Sequence, residues 1–503
     1  MAKSVLKRFL ADEAATAQLG EDLAMALRPG DVLALSGDLG AGKSTLARAL
    51  IRALADDAAL EVPSPTFTLV QSYDVRPPVH HFDLYRLSSA QELDELGFDE
   101  ALADGAALVE WPDRAEARLP ATTVLVELEQ DGEGRIARLS GEGAAFERMA
   151  RSLAMRGFLE DAGWGTAQRR RFVADASARS YEIATLSGFS PRVLMNSPEL
   201  MLGPPVRDGK PYALIAHTSR TVSAFVAIDR ALASAGVSVP EIHAQDLAQG
   251  FLLLSHLGSE SFLDADGQPV NARYAAAAEL LAMMHSRPWH YRLEAAVGVV
   301  HAVPPFDRDA MMIEAELLVD WYVPAVSGRP ASEELRQGYQ REWDALFARL
   351  SGSEYTLMLR DFHSPNIIWR GERQGHDRLG IVDFQDALVG PAAYDVASLA
   401  MDARVTIPPE TEKAALDAYV AARRGAGGFD EEAFREAYAI MAAQRNSKIL
   451  GIFVRLNRRD GKPEYLKHLP RIRDYLRRAL GHPALASLRE FYVEHGLLEE
   501  RTL

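Results

Sequence analysis

The sequence predicts an α/β domain with a phosphate-binding loop, followed by a larger bilobal α+β domain. Three observations carry this prediction. Residues 1 to about 145 alternate short apolar runs with helical stretches, and a glycine-rich turn lies between one such run and the helix after it. From Phe158 to Gly258 the pattern is strand-rich with one helix, and from Ala272 onward it is mostly helical. At 503 residues the chain is also too long for a single core.

Taken in order, Asp31 to Leu35 reads as a strand, Ser44 to about Leu54 as a helix, and Val79 to Phe82 and Ala106 to Val109 as short strands each ending at a carboxylate. Thr122 to Leu128 and Arg135 to Leu139 alternate around Asp131-Gly132-Glu133-Gly134, which predicts a closing hairpin. The composition shifts near residue 150, giving domains 1–150 and 151–503. Ala272 to Met284 opens the helical lobe, which two short strands between Leu357 and Val382 interrupt. A small sheet-rich lobe followed by a large helical lobe is a protein-kinase-like outline.

Composition narrows the function classes. The 71 acidic residues outnumber 55 basic ones, for a net charge of -16, so no broad basic surface is available to hold nucleic acid tightly. There is no cysteine, which excludes disulfides and thiolate metal sites. Neither a signal-peptide pattern nor an uninterrupted apolar run of spanning length occurs, so the expected location is cytoplasmic, with no membrane partner.

Gly37-Asp38-Leu39-Gly40-Ala41-Gly42-Lys43-Ser44 satisfies the P-loop pattern between a strand and a helix. Glycines there let successive backbone N–H groups surround phosphate oxygens at a helix N-terminus. Lys43 reaches the terminal phosphates and the Ser44 hydroxyl suits magnesium. Asp83 and Glu110 end the two following strands, at the edge where open α/β sheets bind ligands. Gly37 to Thr45, Ser64-Pro65-Thr66-Phe67, His81-Phe82-Asp83-Leu84-Tyr85-Arg86-Leu87 and Glu110-Trp111-Pro112 together resemble the bacterial TsaE proteins. Those are the ATPase subunits of tRNA threonylcarbamoyladenosine biosynthesis. The resemblance implies ATP and Mg2+ as cofactors and TsaB- and TsaD-type proteins as partners. It also implies phosphate and magnesium binding by Lys43, Ser44 and Thr45, magnesium or water duties for Asp83 and Glu110, a switch-like segment at Thr66, and Trp111 beside the nucleotide.

A second constellation lies in the C-terminal part. Asp361 and Asn366 in Leu359-Arg360-Asp361-Phe362-His363-Ser364-Pro365-Asn366, followed by Asp383 in Ile381-Val382-Asp383-Phe384, supply what phosphoryl transfer to a hydroxyl needs. Asp361 orients the hydroxyl, and Asn366 and Asp383 hold metal against the phosphates. With Gly390-Pro391-Ala392-Ala393-Tyr394-Asp395 and Asp402-Ala403-Arg404, the segment resembles the aminoglycoside phosphotransferase superfamily. Within it, the segment is most similar to the kinases that phosphorylate N-acetylmuramate and N-acetylglucosamine at the anomeric hydroxyl, which implies a small sugar as substrate. Ala174 to Tyr181 resembles their nucleotide-loop strand and Gly250 to Gly258 their hinge.

Departures from that pattern are specific. Lys210 is the only lysine between residues 158 and 255 and sits in a turn, so Arg179 or Arg192 is left as the cation for the nucleotide phosphates. Asn196 stands where those kinases carry Asp, and Ser255-His256 replaces an acidic pair. Two rival readings of this half stay open: a kinase for another small hydroxylated compound, and a nucleotide-binding pseudokinase. His80-His81 lacks the further ligands of a metal site, Arg169-Arg170-Arg171 reads as a solvated face, and His285 as structural.

Overall fold

The computed structural model describes residues 4–87, 89–172 and 179–499. The chain forms two compact units, Met1–Ser197 with Ile242–His256, and Pro198–Glu241 with Leu257–Leu503. In the first, the described strands β1 (Ser4–Leu10), β2 (Val32–Gly37), β3 (Val70–Tyr73), β4 (Val79–Asp83), β5 (Ala106–Glu110), β6 (Val124–Asp131) and β7 (Gly134–Gly141) form one mixed sheet in the order β1-β7-β6-β2-β5-β4-β3. β2 runs parallel to both β5 and β6, and β6 and β7 make the expected hairpin.

Period-two alternation splits the core between the two sheet faces. Leu33 and Leu35 of β2 pack with Leu46, Leu50 and Ile51 of helix α2 (Lys43–Ala55) and with Leu19 and Leu23 of helix α1 (Glu13–Ala26). Val32 joins Phe82, Val109 and Phe98 on the other face. The strands and the helix expected from the apolar runs all form, with ends shifted by a few residues. β1 and α1 were not marked by the sequence. β1 is an edge strand with mostly exposed side chains, so its apolar signal is weak. Asp12 caps α1, its side chain accepting from Ala15 N at 2.7 Å.

Residue 150 falls inside one uninterrupted helix, Gly143–Asp161. That helix leads into β8 (Gln168–Phe172), β9 (Ser180–Thr185) and β10 (Arg192–Asn196), which complete a five-stranded sheet with Ile242–Asp246 and Phe251–Ser255. Residues Ala174 to Ala178 of the expected nucleotide-loop strand lie outside the described residues. Helix Val222–Ser234, which the sequence placed with the strand-rich lobe, belongs to the second unit. It packs there on the hairpin Arg292–Ala296 and Val299–Ala302.

The arginine run is not a solvated face. Along β8, Arg169 and Arg171 point one way and Arg170 the other. Arg169 is fully buried. It donates to Asp22 Oδ1 at 2.8 Å and to both oxygens of Glu182 at 2.7 and 3.0 Å. Arg156, on the Gly143–Asp161 helix, also reaches Asp22, at 2.8 Å. Arg171 Nη2 donates to the carbonyls of Ala24, Met25 and Leu27 at 2.9, 3.2 and 2.8 Å, satisfying the end of α1. Burial opposes the charge on Arg169, but Glu182 and Asp22 outweigh it and keep the guanidinium firmly protonated. Arg170 does stay exposed, 3.0 Å from Asp56.

In the second unit, helix Asn271–His285 packs along Pro409–Ala426, and the long helix Glu431–Asp460 carries Ala393–Ala400 and Leu469–Ala479 on its flanks. Two strand pairs stand where two single strands were expected: Tyr355–Met358 with Leu388–Pro391, and Ile367–Trp369 with Leu379–Ile381. Their apolar runs are only three or four residues long, too short to show a period. No helix among the described residues is long and apolar enough to cross a membrane.

Asp22→Ala should destabilise the first unit by roughly 3–5 kcal/mol, because it leaves Arg156 and Arg169 as buried cations without their shared carboxylate. Urea denaturation of the full chain, followed by far-UV circular dichroism, measures the shift.

Candidate active sites

The P-loop leaves the end of β2 and turns into α2. Gly37, Gly40 and Gly42 take φ values of 141°, 83° and 107°, which side chains disfavour. A Cβ on Gly37 would come 2.5 Å from the Leu128 carbonyl. No side chain caps α2, so its first N–H groups and dipole are available to an anion. Lys43 Nζ donates to the carbonyls of Gly37 (2.7 Å) and Asp38 (3.0 Å) and lies 3.9 Å from the centre of the Trp111 ring. Burial pulls the Lys43 pKa below its usual value, against the opposing pull of Glu110, Asp83 and Asp38.

Parallel pairing of β4 and β5 sets Asp83 directly beside Glu110, both buried. Ser44 Oγ donates to Glu110 Oε2 at 3.1 Å, and His81 Nε2 lies 2.9 Å from Glu110 Oε1. Asp83 Oδ2 accepts from Ser64 Oγ (3.2 Å) and Thr66 Oγ1 (3.0 Å), and Oδ1 accepts from Tyr85 N (3.1 Å). Trp111 turns off β5 at φ 60° with its ring 5.1 Å from that of Tyr85. The structure thus gathers Gly37 to Ser44, Thr66, Asp83, Glu110 and Trp111 at one sheet edge. Thr45, in the first turn of α2, lines a groove of about 770 Å³ with Glu13, Arg48 and Arg52. The sequence placed His81 next to this strand but could not show that it orients Glu110.

In the second unit, Asn366 links the two aspartate segments. Its Nδ2 donates to the Asp361 carbonyl at 2.9 Å and to Asp383 Oδ2 at 3.5 Å. Gln385 Nε2 donates to Asp383 Oδ1 at 2.8 Å. Arg360 and Asp383 both have positive φ, 69° and 60°, a conformation that costs energy in non-glycine residues and persists only where neighbours enforce it. The neighbours are visible. Buried Asp395 accepts from Leu359 N (2.7 Å) and Arg360 N (2.9 Å), and buried Asp402 from Ser364 N (2.7 Å) and Arg404 N (2.7 Å).

Beneath the loop, the Arg360 guanidinium pairs with Glu314 and donates to the Ala216 carbonyl at 3.1 Å. Lys448 Nζ reaches Glu314 at 2.7 Å. Burial alone would raise the Glu314 carboxyl; Arg360 and Lys448 overcome it and hold the group below its ordinary range. Glu314 and Lys448 were not singled out in the sequence, and Asp395 and Asp402 entered only as motif letters. An isolated acid within an apolar stretch, as at Asp395 and Asp402, was the available signal. Lys448 offered none.

Arg179 and Arg192 belong to the first unit. Arg179 immediately precedes β9. Arg192 opens β10 and lies 4.2 Å over the Trp164 ring. Asn196 accepts from Arg151 Nε at 2.8 Å and donates to Ser180 Oγ at 3.1 Å, so its amide is tied to the Gly143–Asp161 helix. The expected hinge is the buried strand Phe251–Ser255 and the residues after it. His285 is buried and bonded to the Tyr419 hydroxyl at 2.9 Å, consistent with a structural role. No cluster of three or more metal-ligating His, Cys, Asp or Glu side chains occurs among the described residues.

Residues 10–138 match the family described as threonylcarbamoyl adenosine biosynthesis protein TsaE, and residues 168–436 match the phosphotransferase enzyme family. The chain belongs to both families. Its C-terminal part is 33% identical over 367 residues to the N-acetylmuramate/N-acetylglucosamine kinase of Caulobacter vibrioides, covering 70% of this chain and 98% of that protein. The Pseudomonas aeruginosa protein of the same name is 34% identical over 337 residues, 65% of this chain and 89% of its own. The N-terminal part is 40% identical over 122 residues to the TsaE protein of Rickettsia felis, covering 24% of this chain and 71% of that one. The molecule is therefore a fusion of two enzymes, a TsaE-family ATPase domain and a phosphotransferase domain, both from ATP-using families.

Because Arg360 and Lys448 hold the Glu314 carboxyl of the phosphotransferase domain below its ordinary range, its ion pairs stabilise the fold above the carboxyl's unfolded-state value and are lost as pH falls through the folded-state value. Glu314→Gln should lower stability at neutral pH and flatten its decline on acidification. Urea midpoints taken at neutral pH and below pH 4.5 check both effects.

Proposed function

We propose that residues 1–150 act as the ATPase that supports threonylcarbamoyladenosine formation on tRNA together with TsaB- and TsaD-type proteins. Residues 151–503, in this reading, transfer the γ-phosphate of ATP to the anomeric hydroxyl of N-acetylmuramate or N-acetylglucosamine. The two family matches leave residues 139–167 between them, which supports a functional division in that stretch. For the sugar kinase, the observation that carries the reading is the near-complete span of the Caulobacter kinase combined with the Asp361, Asn366 and Asp383 constellation.

Both sites fit magnesium through their donor chemistry. The hydroxyl of Ser44 with the carboxylates of Asp83 and Glu110, and the carboxylate of Asp383 with the amide oxygen of Asn366, are hard oxygen ligands of the kind that ion takes alongside phosphate and water. Bound there, magnesium would offset phosphate charge. In the phosphotransferase domain, Asp361 orients the sugar hydroxyl and takes its proton. An anomeric hydroxyl is more acidic than other sugar hydroxyls, so a carboxylate suffices as base. Asp395 and Asp402 keep the loop backbone in the strained shape that presents Asp361. In the TsaE-family domain, Lys43 neutralises the terminal phosphates and Glu110, oriented by His81, is placed to position water.

Asp361→Asn should remove nearly all sugar phosphorylation, a fall on the order of 10²-fold or more, while ATP binding persists. Asp383→Asn should weaken magnesium-dependent ATP binding as well, so calorimetry separates two variants that are both inactive. Sugar phosphorylation at near-wild-type rate in Asp361→Asn would remove the base assignment. A wild-type chain that binds ATP yet phosphorylates no sugar in a panel of amino and neutral sugars would make this half a pseudokinase. For the other half, Lys43→Ala should abolish the sugar-independent ATP hydrolysis, and affinity capture with TsaB- and TsaD-type proteins in the presence of ATP tests the partnership.

A further inference from the structure

We propose that Arg404 is a specificity-determining residue of the phosphotransferase domain: it binds the carboxylate of N-acetylmuramate and makes no equivalent contact with the neutral N-acetylglucosamine. The inference rests on the sugar-kinase reading and names the side chain that tells its two sugars apart.

Three cations gather beside the catalytic loop. Buried Asp402 commits one carboxylate oxygen to Ser364 N and the other to Arg404 N, which ties the loop carrying Asp361 to the segment carrying Arg404. The Arg404 guanidinium lies over the ring of Tyr465, 5.0 Å from its centre. Arg471 is anchored close by, donating to Thr406 Oγ1 at 2.8 Å, to the Ala403 carbonyl at 3.0 Å and to His468 Nδ1 at 3.1 Å. The third cation, Lys467, is exposed. The half-buried ring of His468 registers the balance of charge here. Burial, and then Arg471, Lys467 and Arg404, push its pKa down to about 4, against the pull of Asp402. The field at this spot is therefore positive, and it favours an anion.

His363 relates that charge to the chemistry. It stands two residues past Asp361, its Nδ1 lies 3.9 Å from Asp402 Oδ1, and its ring feels both Asp361 and Arg404. Asp361, His363, Arg404 and His468 thus form a path leading away from the catalytic carboxylate. The ATP phosphates belong with Asn366 and Asp383, which meet each other at 3.5 Å. That leaves the sugar, its anomeric hydroxyl at Asp361, to extend past His363. N-acetylmuramate differs from N-acetylglucosamine by a lactyl ether that ends in a carboxylate. A guanidinium takes a carboxylate through two parallel N–H donors, a geometry a neutral hydroxyl cannot match.

The test measures sugar phosphate formed by the full chain at saturating ATP, so hydrolysis at the P-loop does not enter. Arg404→Gln should raise KM for N-acetylmuramate about tenfold or more and leave KM for N-acetylglucosamine within about twofold, with kcat little changed on either. Arg404→Lys, which keeps the charge but loses the planar fork, should fall between. The methyl ester of N-acetylmuramate, which has the lactyl group without its charge, should show a similar rise in KM with the wild-type chain, a measurement that needs no variant. Equal use of acid and ester by the wild type overturns the proposal. So does an unaltered KM for N-acetylmuramate in Arg404→Gln, or an equal rise for both sugars, which would make Arg404 a structural residue. A rise confined to KM for ATP would make it a nucleotide cation and overturns the proposal as well. If the wild type phosphorylates neither sugar, the sugar-kinase reading falls and takes the proposal with it, an outcome distinct from the others.

Discussion

Asp22 is a buried carboxylate that two arginines from outside its own helix share, and the architecture of the first unit depends on it. Arg156 arrives from the Gly143–Asp161 helix and Arg169 from β8, and Arg169 also grips Glu182 on β9. Each of these charges would be expensive to bury alone; together they are tolerable only in one arrangement. The side chain of Ser152 joins the same cluster, donating to the Asp22 carbonyl at 2.6 Å. The ATPase sheet and the small sheet of the phosphotransferase are thereby both held against α1 rather than strung on a linker. The continuous helix through residue 150 makes the connection stiff.

That junction bears on the P-loop because α1 is also the helix against which α2 packs. A Cβ on Gly20 of α1 would come 2.5 Å from the Leu46 carbonyl of α2, so the two helices touch closely enough to need glycine at the contact. Thr16, one turn earlier, reaches the loop at Gly42. A single helix thus touches the loop through one residue and the second enzyme's sheet through another. Interior packing transmits small displacements between such contacts.

The two sites solve the same electrostatic problem with different means. In the TsaE-family domain, the first backbone N–H groups of an uncapped helix are open to an anion, and glycine's freedom shapes the loop. In the phosphotransferase domain the loop carrying Asp361 contains no glycine. It is forced into its strained shape by Asp395 and Asp402 binding its backbone N–H groups and by the buried Glu314, Arg360 and Lys448 cluster below. One site is pre-organised by backbone flexibility allowed at particular glycines. The other is pre-organised by charges that remove flexibility.

The sequence by itself determined what is local. The Gly37 to Ser44 spacing, the carboxylates at the ends of apolar runs, the Asp361 and Asn366 spacing and the hairpin around Gly132 are all short-range patterns, and each formed where residue order placed it. The edge strand β1 was lost for want of apolar contrast, and the three- and four-residue strands for want of length. Tertiary structure alone decided which distant charges meet. Three arginines in a row look solvated, because arginine usually is. Whether Arg169 is buried depends on Asp22 and Glu182, brought there by α1 and β9. Lys448 meets Glu314 for the same reason. Burial of a charge is stable only with a partner at contact distance, and sequence order does not state that distance.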